Sequence, residues 1–221
     1  MSMMVRLLLA GALMFGTCGQ GWAQSVDVGL VQQVAGDVTY VSSTGSGKAQ
    51  AFMKLRQGDR FTLPAAAQMQ VVYFQNGRQE TWRGPASFSA GGERSDAVLG
   101  TIQEVHNLPV GVPQKIQKIP DLIQMAKLGG ITVRSAAPRP QRSSTEQLAE
   151  LEAARATYAQ LRQQLAADDI TPELYLYAVM QDQLLYNEMK TVVDEMLRRQ
   201  PASVEAAQLA EWVKARIEPT R

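Results

Sequence analysis

The spacing of the apolar residues changes part-way along this chain, and no other feature constrains its fold as strongly. From Val28 to about Val105, apolar residues recur with a period near two, in short runs separated by glycines. From Ser144 onward they recur every three or four residues over longer runs. A period of two is typical of β-strands, and a period near 3.6 is typical of α-helices. We therefore predict an α+β fold with two domains, the first all-β and the second α-helical.

The best-defined element of the first domain is a hairpin around Asn76-Gly77. Strand-like runs lie on both sides of this dipeptide, which favours a two-residue turn with positive φ at both central residues. Such a turn sets a register in which Val71 faces Trp82. With the other short runs, the hairpin predicts a small antiparallel β domain over residues 24–112, either a sandwich or barrel-like.

Several motifs of the first domain occur in the order found in a known family of exported domains. They are Val34-x-Gly36-x-Val38, Leu55-x-x-Gly58-Asp59, Val71-x-Tyr73-Phe74-x-Asn76-Gly77 and Pro85-x-Ser87-Phe88. In this order, over about residues 28–89, they resemble the FecR-type periplasmic domain. The resemblance implies a small all-β domain outside the cytoplasm. The signalling role behind the family name would also need a cytoplasmic segment and a membrane-spanning helix, which we do not expect in the mature chain.

A short helix and a connection are predicted over residues 113–134, with the helix itself at Asp121–Leu128. The proline- and arginine-containing stretch 135–143 is predicted to be a linker. The helical domain then occupies residues 144–221.

Cap residues predict where the helices of the second domain begin. Ser143 and Glu146 have capping-box spacing at the start of a long helix. Thr171-Pro172-Glu173 supplies a cap, a first-turn proline and an acid for the next helix. Ser203 is predicted to cap the last helix. The pair Asp168-Asp169, between two helices, is expected to be a solvated helix end.

Residues 170–202 resemble a tetratricopeptide repeat, a helical hairpin of about 34 residues. Leu176 and Tyr177 fall where the first helix of such a repeat packs, and Pro201 falls where the repeat closes. The resemblance implies a concave surface that binds a segment of another protein. The residues expected to contact such a partner are Tyr177, Met180, Leu184, Tyr186 and Trp212.

The first 23 residues have the pattern of a secretory signal peptide. Arg6 precedes the apolar run 7–15, and Gly21 and Ala23 are the small residues that a signal peptidase requires. We therefore expect export to the periplasm, with cleavage after Ala23. In the alternative, acylation of Cys18 would make the protein a membrane-anchored lipoprotein. The apolar run is shorter than the roughly 20 residues of a membrane span, so no span is expected in the mature chain.

Residue types that support catalysis or metal binding are sparse. His106 is the single histidine of the chain and Cys18 is the single cysteine. A zinc site or an activated nucleophile needs at least one further ligand or partner of this kind. We therefore expect no catalytic residue, no metal and no cofactor. Basic residues number 22 and acidic residues 21, without a basic patch of the kind that binds nucleic acid.

These features favour a non-enzymatic protein of the cell envelope that binds a partner protein or acts as a scaffold. One alternative is a ligand-sensing component of an envelope signalling system that works through a membrane-spanning partner. A second alternative is a cell-wall hydrolase, for which the available carboxylates would be Glu80, Glu93 and Asp96.

Overall fold

The computed structural model describes residues 26–128 and 144–217. Its strands are β1 (Asp27–Ala35), β2 (Thr39–Ser42), β3 (Gly45–Lys48), β4 (Lys54–Arg56), β5 (Arg60–Leu63), β6 (Gln68–Tyr73), β7 (Arg78–Arg83), β8 (Ala86–Ala90), β9 (Ser95–Leu99) and β10 (Ile102–Asn107). Its helices are α1 (Val112–Ile116), α2 (Ile119–Lys127), α3 (Ser144–Gln164), α4 (Thr171–Gln183), α5 (Tyr186–Arg199) and α6 (Val204–Ile217). The predicted order of a β part followed by a helical part is confirmed.

Four sequence predictions concern residues outside the described ranges. They are the signal peptide over residues 1–23, the acylation alternative at Cys18, the linker over residues 135–143 and the capping role of Ser143. Within residues 26–128 and 144–217, no helix combines the length and the hydropathy that a membrane span requires.

The described strands form two antiparallel sheets. Sheet A has the order β10-β7-β6-β1-β4, and sheet B has the order β3-β2-β5-β8-β9. The sheets pack face to face, because Trp82 of sheet A stacks on Phe88 of sheet B with ring centroids 4.5 Å apart. Phe88 in turn stacks on Phe61 at 5.2 Å, and all three rings are buried in one apolar cluster. The β part is therefore a two-layer sandwich.

The hairpin between β6 and β7 is present, but its predicted register is wrong. Val71 faces Glu80 and not Trp82, which is a shift of two residues. The reason is that the turn contains four residues instead of two. Gly77 has a φ of 69°, whereas Asn76 avoids positive φ and its Oδ1 accepts a hydrogen bond from a backbone N–H two residues later, at 3.0 Å. Because the shift is even, each side chain stays on its predicted face.

Sheet A is covered on both faces and is the middle layer of three. Its outer face contributes Leu30 and Val72 to the apolar cluster that also contains Ile116 of α1 and Leu174 of α4. Sheet B has one open face, as the alternation of exposed and buried residues along β5 shows. The helices therefore pack on sheet A, and the two parts of the chain share a core.

The helices pack in sequence, each of α3 to α6 against the next, while α1 contacts α4 and α2 contacts α6. The chain reverses between α4 and α5 at Leu184, which has a left-handed φ of 61°. Ser203 Oγ accepts a hydrogen bond from the Ala206 N–H at 3.1 Å, which confirms the predicted cap of α6. The predicted short helix corresponds to α2, which begins two residues earlier than expected, at Ile119, because Pro120 occupies its first turn.

Candidate binding groove

Asp169, in the turn between α3 and α4, connects the helices to sheet A. The residue is 2% exposed. Its Oδ1 accepts a hydrogen bond from Gln32 Nε2 at 2.7 Å, and its Oδ2 accepts from Gln70 Nε2 at 3.1 Å and from Gln79 Nε2 at 2.9 Å. Within the turn, the Thr171 N–H also donates to Oδ1 at 2.7 Å. The three glutamines belong to β1, β6 and β7, so one carboxylate joins three neighbouring strands to the helical part.

This arrangement corrects two sequence predictions. Asp168 is exposed, as expected for a solvated helix end, but the same expectation is wrong for Asp169. Thr171 is the first residue of α4 and not its cap, and Ile170 at the cap position has no side-chain bond to the helix. A free N–H in the first turn of a helix needs an acceptor, and Asp169 supplies it. The amide donors of sheet A bond to the same carboxyl group, so its oxygens are not left without partners in the core.

Basic and amide side chains of the helical part also bond to the turn between α3 and α4. Arg162 and Arg199 donate hydrogen bonds to its backbone carbonyls, and Gln200 Nε2 donates to the Asp168 carbonyl at 2.8 Å. The Nε atoms of the two arginines lie 3.7 and 3.2 Å from the buried carboxylate of Glu173. Burial raises the pKa of Glu173, and the charge of Arg162 opposes that rise. Because Arg199 and Gln200 are at the end of α5, these bonds fix the position of the α5–α6 turn.

The α5–α6 turn faces the sandwich across a groove of about 750 Å³. The sandwich wall contains residues 33–36, around the end of β1, and residues 49–51, after β3. The helical wall contains residues 199–205 and Lys127. Both parts of the chain therefore build the groove, and the contacts of Asp169 help to set its width.

The groove continues into a hollow of about 530 Å³ along α6. The α6 residues that line it recur every three or four positions: Val204, Ala207, Gln208, Glu211, Trp212, Ala215 and Arg216. This spacing places them on one helix face, which we call the α6 groove. Val204 is 63% exposed, and Ala207 and Ala215 are exposed as well. The Arg216 guanidinium lies 3.4 Å from the ring centroid of Trp212. The surface thus combines small and apolar residues with a cationic edge.

The structure places the five residues expected to contact a partner in different environments. Tyr177 and Met180 are buried in the apolar cluster beneath α4, so they are packing residues. Leu184 is 53% exposed at the α4–α5 turn. Tyr186 is half-buried and packs edge-on against Trp212, with ring centroids 5.8 Å apart. Trp212 is 7% exposed and lines the α6 groove, and the partner contacts of these residues stay a prediction.

The sequence does contain a signal for the α6 groove that periodicity alone did not reveal. Ala207 and Ala215 are eight residues apart, close to two helical turns, and share a face with Trp212. Small residues at this spacing let another helix approach closely. Alanine is also common in buried helix faces, and for that reason the pattern did not distinguish a buried face from an open one.

The carboxylates of the hydrolase alternative lie away from the groove. Glu80 is fully buried in the sandwich and accepts a hydrogen bond from Arg78 Nε at 2.5 Å. Glu93 accepts one from Gln75 Nε2 at 2.6 Å on the surface, and Asp96 is exposed nearby. Across residues 26–128 and 144–217, no three His, Cys, Asp or Glu side chains are arranged to hold a metal ion.

No protein-family model matches this chain, and no curated protein and no solved structure matches it significantly. The FecR-type and tetratricopeptide resemblances therefore rest on the residue patterns given above.

Proposed function

We propose that this chain is an exported, non-enzymatic protein of the cell envelope that binds a partner protein, and that a helix of the partner lies in the α6 groove. The observation that carries the proposal is the open face of α6, where apolar and small residues continue into the groove beside the sandwich. The signal-peptide pattern of residues 1–23 supports export. The order of the turn motifs supports a FecR-like identity for the β part.

A helix is the occupant that the shape of the surface favours. The 14 residues of α6 extend over about 21 Å, enough for four turns of a partner helix. Ala207 and Ala215 leave room for helix axes to approach to the usual 8–10 Å. α3 to α6 pack one against the next and α2 contacts α6, so a partner helix would pack on α6 beside the end of α2.

The chemistry of the α6 groove is that of a protein interface. Val204, Ala207 and Ala215 supply an apolar floor, and charged groups such as Lys127 and Glu211 stand at its sides. An apolar centre with a polar rim is typical of surfaces that bind proteins reversibly. Arg216 lies over the face of Trp212, which is 7% exposed, and supplies a cationic group at the end of the groove. The partner helix should therefore carry apolar residues at intervals of three and four.

Substitution of Ala207 by Trp tests the proposal. The indole would fill the groove without touching the core, so folding should persist while partner binding is lost. Ala159→Trp, on an exposed part of α3, is the matched control. Partners captured by crosslinking in intact cells should decrease at least tenfold for Ala207→Trp and not for Ala159→Trp. Equal capture by both variants would rule out the α6 groove as the binding surface.

The same crosslinking experiment separates the alternatives. A membrane-spanning protein among the groove-dependent partners would favour the ligand-sensing role over a soluble scaffold. A point substitution is preferable to deletion of residues 144–221, because deletion would uncover the outer face of sheet A and perturb the sandwich.

A further inference from the structure

Strand β10 is an edge of sheet A. Among the described strands it pairs with β7 alone, so its other side presents backbone donors and acceptors to solvent. Edge strands are usually protected by charged side chains, by proline, by β-bulges or by a covering loop. β10 has neither lysine nor proline, and its one register irregularity lies between Ile102 and Glu104. The stretch 104–107 is regularly paired, and Val105 within it is 40% exposed. Such an edge favours the addition of another strand.

The sequence of β10 is complementary to itself when it is read in the opposite direction. If two copies pair antiparallel about an axis through Val105, Glu104 of each copy lies opposite His106 of the other. Val105 then lies opposite Val105. Glu104 and His106 already approach within one strand, at 2.8 Å between Oε1 and Nε2, so their side chains can form this pair.

The neighbouring edge of sheet B adds apolar surface on the same side. β9 leads directly into β10 through residues 100–101. Val98 of β9 is 73% exposed, and Leu99 is exposed beside it. A second copy seated on β10 would cover part of this surface, which a monomer leaves in water.

We infer that the protein forms a two-fold dimer in which β10 of one copy pairs antiparallel with β10 of the second copy, centred on Val105. The two five-stranded sheets A then join into one continuous sheet of ten strands. The backbone groups on the edge of β10 supply the affinity, and the Glu104–His106 pairs set the register. This surface lies on the sandwich and is separate from the α6 groove, so neither proposal depends on the other.

Cysteine pairing tests the register directly. In a Cys18→Ser background the chain has no other cysteine. Residues directly opposite each other in an antiparallel pair have Cβ atoms about 4.5–5.5 Å apart, within reach of a disulfide after a small adjustment. Val105→Cys should therefore form a disulfide-linked dimer under mild oxidation. Glu104→Cys alone should not, but a mixture of Glu104→Cys and His106→Cys should. Glu152→Cys, exposed on α3, is the control.

Charge exchange provides a second and independent test. Glu104→Lys would replace the carboxylate acceptor opposite His106 by an ammonium group and should weaken the dimer at least tenfold in sedimentation experiments. The double variant Glu104→Lys/His106→Glu should restore dimerisation, and Glu152→Lys should leave it unchanged. A wild-type chain that stays monomeric up to about 100 µM, or a Val105→Cys variant that crosslinks no faster than Glu152→Cys, would overturn the inference.

Discussion

Removing the carboxylate of Asp169 should destabilise the protein more than almost any other change in a turn. In Asp169→Ala, Gln32 Nε2 and the Thr171 N–H each lose the acceptor they use at 2.7 Å. Gln79 retains Thr171 Oγ1 at 3.0 Å, and Gln70 retains Thr81 Oγ1 at 3.4 Å. The Thr171 hydroxyl also loses the acceptor that it uses at 2.6 Å. Three buried donors are thus left without a partner.

The size of the effect follows from those three donors. A buried polar group without a partner costs about 1–3 kcal/mol, so the free energy of unfolding should decrease by about 6 kcal/mol. For a domain of this size, that corresponds to a decrease in Tm of about 12–24 °C. Asp169→Asn should lose less, because one side-chain oxygen still accepts from Gln32 and Thr171 while the new amide faces the donors of Gln70 and Gln79.

Urea and thermal unfolding followed by circular dichroism give the required comparison. Asp168→Ala is the control, since Asp168 is the exposed neighbour and its bond to Gln200 uses the backbone carbonyl. That variant should change stability by less than about 0.5 kcal/mol. If Asp169→Ala were no less stable than Asp168→Ala, Asp169 could not be the residue that holds the helices on sheet A.

Three further changes test other parts of the fold. Phe88→Ala removes the middle ring of the buried stack and should lower the free energy of unfolding by about 3–5 kcal/mol, seen as a lower urea midpoint; a loss below 1 kcal/mol would contradict the packing. Ser203→Ala removes the acceptor for the Ala206 N–H and should cost about 1 kcal/mol, whereas Ser203→Thr should retain most of that stability. A hydrogen bond from Arg198, together with the charge of Arg199, lowers the pKa of Glu195 from 4.5 to about 2. The stabilisation of the folded state by ionised Glu195 is therefore present above pH 4.5 and is lost as the pH falls towards 2. Glu195→Gln should lose less stability than the wild type across that interval. Identical pH profiles of the two proteins would contradict this assignment.

The order of elements could be predicted because it depends on local signals. Alternating apolar residues and turn dipeptides specify strands, and Ser203 specifies a helix start from within a single turn. The register of the β6–β7 hairpin could not be predicted, because Asn76-Gly77 is compatible with turns of different length. Contacts with Leu108, whose N–H donates to the Gly77 carbonyl at 2.9 Å, distinguish the observed turn, and they come from a distant part of the chain.

The junction between sheet A and the helices could not be predicted, because its residues are polar like those of an exposed surface. Gln70 alternates with apolar residues along β6, and Gln79 lies among polar residues in β7, as both would on a solvated face. That face is instead buried by helices, and its amides bond to Asp169, which is 99 and 90 residues away in sequence. Nothing local distinguishes Asp169 from Asp168. The α6 groove was missed for a related reason, since small residues on a helix fit both a covered and an open face.

The glutamines on the outer face of sheet A also bear on the order in which the chain folds. β10 ends at Asn107, and Asp169 follows 62 residues later. All strands are therefore synthesised well before the α3–α4 turn that covers sheet A. At roughly 5–20 residues per second, the interval is about 3–12 s. During that time Gln32, Gln70 and Gln79 can hydrogen-bond to water, whereas an all-aliphatic face would favour aggregation. The polar layer that later anchors the helices should thus keep the nascent sandwich soluble until they are made.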